Sequence, residues 1–356
     1  AIDVLLRLAA EKAASDIFVT PGRAPALRIN GEIIPIGSVP LAPQAAAALV
    51  MSVMDAEQRT AFERSRESNF AITGADRQRF RVSAFYQRGM PGMVLRRIET
   101  RIPTLAELGL PPVLESLAMT RRGLIMFVGA TGMGKSTSLA AMIGHRNRHS
   151  RGHIISIEDP IEFVHPVKKS VIVHREVGEH TESFAAALKG AMRHDPDILL
   201  LGEMREMETI KLALGCASMG MLVFGTLHTN NAPKTVDRII NTFPAEEQNQ
   251  VRVMLAGCLA GVVAQLLCKR VPKGRCAVHE ILLTHEALPN TIRSGQIANI
   301  RAIIESGGGD GMVTMDTSLM NRVKDGTIEA KEAYMKAANK ALFAPLLKPG
   351  DLEGGH

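Results

Sequence analysis

Apolar and polar positions follow two regimes along the 356 residues. In roughly the first hundred, short alternating runs are separated by turn residues. SDIFVTPGRAPALRINGEIIPIG holds two strand-like runs broken by Pro-Gly and Asn-Gly. Asn30-Gly31 between alternating runs predicts a hairpin, because both residues tolerate positive φ. A helical segment is expected over about residues 42–66, then strands in RQRFRVSAFYQ and GMVLRRIE. This reads as a small α+β domain over 1–98. Prolines and glycines in TRIPTLAELGLPPVLESLAMTRRG mark a linker, 99–118, with a short helix before Arg121.

From Gly123 the pattern changes. GLIMFVG, HIISIEDP, DILLLGE and MLVFGTLHT are short apolar runs, and helical patterns lie between them: STSLAAMIGHRNRH, SFAAALKGAMRH and ETIKLALGCASM. Apolar strands alternating with helices predict an α/β fold, a parallel sheet covered on both faces, over 119–284. From about 285 strong strand runs cease, and 285–356 reads as helices joined by turns such as GGGDG at 307–311. The tail KPGDLEGGH is polar and expected to fray.

Composition adds limits. Hydrophobic content of 46% with 22% charge is an ordinary soluble balance. The longest apolar stretch, GCLAGVVAQLLC, contains Gln265 and is too short to span a bilayer. The opening AIDVLLRLAAEKAASD is amphipathic rather than basic then apolar, unlike a secretory leader. Any work at a membrane is therefore expected from its side. The net charge of +6 allows an acidic partner or simply a mildly basic surface. The four cysteines form no CxxC pair and read as reduced thiols of a cytosolic protein. CKRVPKGRC offers two metal ligands, too few for a structural zinc site.

The chemistry concentrates after the first apolar strand. Gly129, Ala130, Thr131, Gly132, Met133, Gly134, Lys135 and Ser136, followed by Thr137, fit G-x-x-x-x-G-K-[ST] at every fixed position. Glycines let the backbone curl its N–H groups towards phosphate oxygens. Lys135 supplies a cation for the β and γ phosphates, and Ser136 a hydroxyl for Mg²⁺. The helix that begins there presents its positive end. Three later strands end on Glu158, Asp159 and Glu162, on Glu203, and on His228. In an open parallel sheet, ligands bind beyond the carboxyl ends of the strands, so these groups are expected to converge on the loop. Each has a plainer alternative: a helix cap or solvated loop charge for the acids, a structural role for the histidine.

Together these segments resemble the secretion ATPase superfamily, and within it the PilT/PilU-type pilus retraction ATPases. GATGMGKST resembles their Walker A loop, ISIEDPIEFVH their Asp box, DPDILLLGEMRE their Walker B segment and GTLHTNNAPKTVDRI their His box, in the family's order. VGEHTESFAAAL and VDRIINTFPAEEQNQVR match as well, and the likeness covers nearly the whole chain. It implies a RecA-like P-loop NTPase core with a smaller PAS-like α+β N-terminal domain, joined by a flexible linker. It implies that ATP and Mg²⁺ are bound and ATP hydrolysed. Glu162 would be the catalytic base, Glu203 the carboxylate near Mg²⁺, and His228 a contact to the γ-phosphate region. Arg81 and Arg96, from RFRVSAF and VLRRIE, would reach the nucleotide, a task suited to the guanidinium fork.

The resemblance further implies a homo-hexamer on the cytoplasmic face of the inner membrane, working on a pilus platform protein to retract a type IV pilus, as in twitching motility. Ala130 and Met133 stand where proline and serine are common, at positions that contribute mainly backbone. SDIFV and Glu206 also depart from the usual pattern. NTIRSGQIANI keeps only Ile292 and Arg293 of the retraction-linked AIR motif. No tetracysteine insertion of the assembly ATPases is present, and the N-terminal region is short, which favours retraction. Two other functions stay open. One is a nucleic-acid translocase on the same core, disfavoured because the two tyrosines and absent tryptophan leave no basic cluster interleaved with aromatics. The other is a PilU-like accessory ring subunit that depends on a paralogous retraction ATPase.

Overall fold

The computed structural model describes residues 2–29, 32–74, 78–98, 101–348 and 351. Its contacts divide the chain into two compact units, 1–101 and 102–356.

The first unit contains α1 (Ile2–Glu11), β1 (Asp16–Val19), β2 (Ala26–Ile29), β3 (Glu32–Pro35), α2 (Pro43–Ser52), α3 (Ala56–Ser65), β4 (Glu67–Thr73), β5 (Arg79–Gln87) and β6 (Met90–Arg97). The strands form an antiparallel sheet in the order β3-β2-β1-β6-β5-β4. Period-two alternation selects its core face: Phe80, Val82 and Ala84 of β5 are buried, with Leu95 and Met93 opposite. Leu5, Leu6 and Ala9 of α1 close over the same core as Val50 and Phe62.

The sequence pattern differs from this unit in three places. The expected helix over 42–66 is two helices. Asp55 ends the first course by capping α3: its carboxylate accepts from Gln58 N at 2.8 Å, and Asp55 N donates to the Gln58 side chain at 3.1 Å. The run from Ser15 holds three strands rather than two, and β4 was not expected at all. The β2–β3 hairpin pairs in register from Ile29↔Glu32 to Ala26↔Pro35. Its Asn30-Gly31 turn and most of the polar tail lie outside the described residues.

The second unit runs α4 (Val113–Ala118), β7 (Gly123–Val128), α5 (Lys135–His149), β8 (His153–Glu158), β9 (Val171–Glu176), α6 (Phe184–Ala191), β10 (Ile198–Leu201), α7 (Met207–Ser218), β11 (Leu222–Leu227), α8 (Ala232–Asn241), α9 (Ala245–Cys258), β12 (Leu259–Lys269), β13 (Arg275–Leu283), α10 (Leu288–Arg293), α11 (Ile300–Ser306), α12 (Met315–Lys324) and α13 (Ala330–Lys336). Its seven strands lie in the order β13-β12-β7-β11-β10-β8-β9. All neighbours are parallel except β13, which returns antiparallel along β12, so the sheet is mixed rather than wholly parallel.

Burial on both faces explains why the central strands read as unbroken apolar runs. Every residue of β7 is buried. Leu124, Met126 and Val128 face a core shared with α6 to α9 and the C-terminal helices. Ile125 and Phe127 face the opposite core, with Leu139 and Ile143 of α5. Leu105, Leu110, Leu114 and Leu117, from the segment expected to act as linker, are buried in that second core. Among the described residues, no helix is long and apolar enough to cross a membrane.

This packing predicts that Leu114→Ala destabilises the second unit by ~2–5 kcal/mol, the cost of an emptied core site. Urea unfolding followed on the whole chain measures it. A shift of under ~0.5 kcal/mol, as for an exposed linker position, contradicts the packing described.

Candidate functional site

The register of the sheet sets the site. Val128 pairs with Leu227, and Leu201 pairs with both Gly225 and Ile157. The carboxyl ends of β7, β8, β10 and β11 therefore lie side by side. They border a cavity of about 1010 Å³ lined by Thr131, Gly132, Gly134 to Ser138, Glu158, Asp159, Glu162, Glu203, Arg205, His228 and Gln265. The residues expected to converge from the second unit thus do so.

Glycine is required at both ends of the loop between β7 and α5. Gly129 has φ +148°, and a Cβ there would lie 2.5 Å from the backbone oxygen of Gln265. Gly134, with φ +75°, is the residue before α5, and a Cβ there would meet the Gln265 amide nitrogen at 3.2 Å. β12 thus excludes a side chain at Gly129, and at Gly134 the close approach and the positive φ together disfavour one. Lys135 is buried at the head of α5, and its Nζ donates to the carbonyls of Gly129 at 2.6 Å and Ala130 at 3.0 Å. Burial lowers the pKa of its ammonium, and the carboxylates of Glu203 and Glu162 oppose that shift. Met133 contributes more than the expected backbone, since its Sδ accepts the Leu267 N–H at 3.4 Å.

Glu203 stands on a pinned backbone. Gly202 N donates to Ile157 O at 2.8 Å, and Met204 N to Thr226 O at 3.0 Å, extending the β10 ladder past its last strand residue. Thr226 Oγ1 also donates to Gly202 O. His228 Nε2 lies 2.7 Å from Glu203 Oε1. A carboxylate only accepts, so Nε2 carries the proton of this bond. Arg205 Nε donates to the same oxygen. His228 is followed by α8, whose first N–H, from Ala232, is held by buried Glu280 at 2.8 Å. Burial raises the pKa of that carboxyl, opposed by the bonds it accepts. Glu162 is exposed at the cavity, and its backbone N–H donates to Glu158 Oε2 at 3.3 Å. Glu158 itself is buried, with His174 Nδ1 3.9 Å away.

Arg81 and Arg96 belong to the first unit, directly opposite each other on β5 and β6. Arg96 Nε donates to the buried Asp16 carboxylate at 2.9 Å, and Arg28 Nε lies 3.8 Å from the other oxygen. The acid offsets a cross-strand pairing of like charges.

Sequence reasoning missed Arg205 and Gln265. The only signals for them were a cation two residues past Glu203 and one polar position in the run VVAQLLC. Cys268 and Cys276, read as two candidate ligands, are register partners on β12 and β13 and free thiols. Among the described residues, no group of three or more His, Cys, Asp or Glu could hold a metal by itself.

Residues 1–334 match the type II/IV secretion system protein family. The chain is similar to the type IV pilus ATPase PilU of Pseudomonas aeruginosa, 47% identical over 97% of this chain and 91% of that protein. It is 43% identical to the type IV pilus retraction ATPase PilT of the same organism, over 94% of this chain and 98% of that one. A crystal structure of the pilus retraction motor PilT with bound ADP matches with a TM-score of 0.90 at 39% identity, covering 96% of this chain and 98% of that chain. The fold is therefore the expected RecA-like core with its smaller N-terminal α+β domain.

Two buried histidines in and beneath the site give a pH prediction. His165 lines a small cavity behind Ser136, its Nδ1 has no hydrogen-bond partner, and burial pushes its pKa down to about 3. His279 is likewise pushed down by burial to about 3. In the unfolded chain both take up protons below about pH 6.5, whereas the folded chain resists until about pH 3. Their contribution to stability is thus present above pH 6.5 and is lost as pH falls towards 3. His165→Leu should flatten the slope of unfolding free energy between pH 6 and 4 by up to ~1.4 kcal/mol per pH unit, the value for one proton. An unchanged slope in denaturant titrations contradicts the neutral, buried state of His165.

Proposed function

The chain belongs to the type II/IV secretion system protein family, and on that footing we propose that it is an ATP-hydrolysing motor that drives type IV pilus retraction. The observation that carries the chemistry is the Glu203–His228 pair, which lines the same cavity as the Lys135 loop. Similarity to PilU and PilT over more than nine-tenths of the chain supports the choice of pilus retraction over the other tasks of this fold.

Each residue has a physical role in this reading. The loop amides from Gly129 to Thr137 and the Lys135 ammonium bind the β and γ phosphates. Ser136 Oγ and the Glu203 carboxylate are hard oxygen donors on one cavity, a set that suits Mg²⁺, which commonly keeps water and phosphate oxygens as its remaining ligands. When bound, Mg²⁺ neutralises charge on the phosphate chain. Glu162 accepts the proton of the attacking water, for which its exposure at the cavity leaves it free. His228 holds the Glu203 carboxylate in one orientation and presents its ring to the γ-phosphate region. Arg81 and Arg96 stabilise charge on the transferring phosphoryl group, a role carried from the family resemblance.

The working form is a homo-hexamer at the cytoplasmic face of the inner membrane, engaging a pilus platform protein. Nucleic acid is not a partner in this reading. A second reading is favoured by the 47% identity to PilU against 43% to PilT. In it the chain is an accessory ring subunit that turns over ATP but retracts pili only beside a paralogous ATPase.

Glu203→Ala is expected to keep ring mass while lowering Mg²⁺-dependent ATP turnover by at least ~10²-fold, the scale of a lost catalytic group. Parent rings with no more turnover than the variant would overturn the motor. Expression in cells lacking their own retraction ATPases separates the two readings. Retraction restored by this chain alone supports the motor, and restoration only with a paralogue supports the accessory subunit.

A further inference from the structure

Gln265 lies in the middle of β12, 1% exposed, in a run that is otherwise apolar from Val262 to Cys268. Its side chain makes three hydrogen bonds. The amide nitrogen lies 2.6 Å from Met133 O in the phosphate loop. The amide oxygen lies 2.8 Å from Ser138 Oγ, one turn into α5, and 2.9 Å from His279 Nε2, on the register partner in β13.

Only one orientation of the amide satisfies this arrangement. A backbone carbonyl can only accept, so Nε2 must face Met133. Oε1 then accepts from the Ser138 hydroxyl and from His279, whose Nε2 must carry its proton. Burial keeps that imidazole neutral, with one donor and one acceptor nitrogen. The three partners come from three elements, so the amide is held from three directions.

The bond to Met133 has a consequence for the loop. In a trans peptide the C=O and the following N–H point in opposite directions. Drawing Met133 O towards β12 turns the Gly134 N–H away from it, and Gly134 lines the cavity. With Gly134 at φ +75°, where a glycine backbone turns easily, the peptide needs an external hold to stay in one orientation.

We propose that Gln265 is a positioning residue for the nucleotide: it latches the Met133–Gly134 peptide so that the Gly134 N–H faces the phosphates, while Ser138 and His279 lock its amide. This rests on the nucleotide reading above. The latch acts on grip common to ground state and transition state, so its loss raises KM and leaves kcat nearly unchanged.

Gln265→Met tests it, because methionine keeps the shape and removes donor and acceptor. ADP affinity by calorimetry, ATP kinetics and apo melting are measured on the full chain. The expected result is ADP affinity about tenfold weaker, KM for ATP raised in parallel, and kcat within about threefold. Ser138→Ala removes one of the two hydrogen bonds to the amide oxygen and should weaken ADP about threefold. In the double variant the loss should not exceed that of Gln265→Met alone. If Gln265→Met does not fold, Ser138→Ala decides by its own ADP affinity. ADP affinity within 1.5-fold of the parent in the variant that decides overturns the latch, as does a fall in kcat at unchanged KM. A parent that binds no ADP sinks the nucleotide reading and the latch with it. A parent that binds while Gln265→Met binds equally sinks the latch alone.

Discussion

The close approach of β12 to the loop after β7 is the constraint on which the site depends. At Gly129 the gap leaves no room for a Cβ beside the Gln265 carbonyl, and at Gly134 little room beside its amide. The loop's backbone is therefore shaped from outside as well as by its own glycines. That approach is itself set by the sheet, because β12 pairs parallel to β7 from Leu259↔Leu124 to Ala264↔Val128. The pairing brings Gln265 level with Gly129, the first residue past the strand. Helix α13 also holds β12 there: Glu332 accepts the Lys269 N–H at 2.8 Å, and Lys336 donates to Leu267 O. The phosphate loop and α13 thus lie against the same few residues of one strand.

A second consequence of the sheet is the fixed height of the acidic groups. Glu203 sits one residue past Gly202, whose N–H continues the ladder, so its carboxylate has little backbone freedom. His228 and Arg205 then fix the side chain. A carboxylate bonded to a guanidinium and an imidazole is held in one direction without a long flexible arm. Glu162 contrasts with it, since it lies in the irregular stretch after β8 and is exposed. One carboxylate is held by two side chains, and the other is exposed at the cavity.

Much of this was legible in the chain. The phosphate loop, the four central strands and the chemical groups at their ends were readable because buried parallel strands are short apolar runs that stop at polar residues. What was not legible has local causes. β12 follows α9 at Cys258–Leu259 with no turn residue, and an apolar run of that length does not distinguish strand from buried helix. β4 lies at a sheet edge and carries Glu67, Ser68, Asn69 and Thr73, so its alternation is weak. The break between α2 and α3 is written in Asp55 and Gln58, a capping pair set inside a helical pattern. Linker composition around Pro111 and Pro112 concealed four leucines that are core. The function of Arg81 and Arg96 rests on family resemblance, whereas their sheet positions followed from the alternation around Phe80 and Leu95.

The most direct test of the account is a structure of the full chain with Mg²⁺ and a non-hydrolysable ATP analogue. Phosphates are expected inside the Gly129–Thr137 loop, with the Gly134 N–H and Lys135 Nζ on their oxygens and Ser136 and Glu203 turned to the same phosphate end. Nucleotide bound elsewhere, or phosphates beyond reach of Lys135 and Glu203, would contradict it.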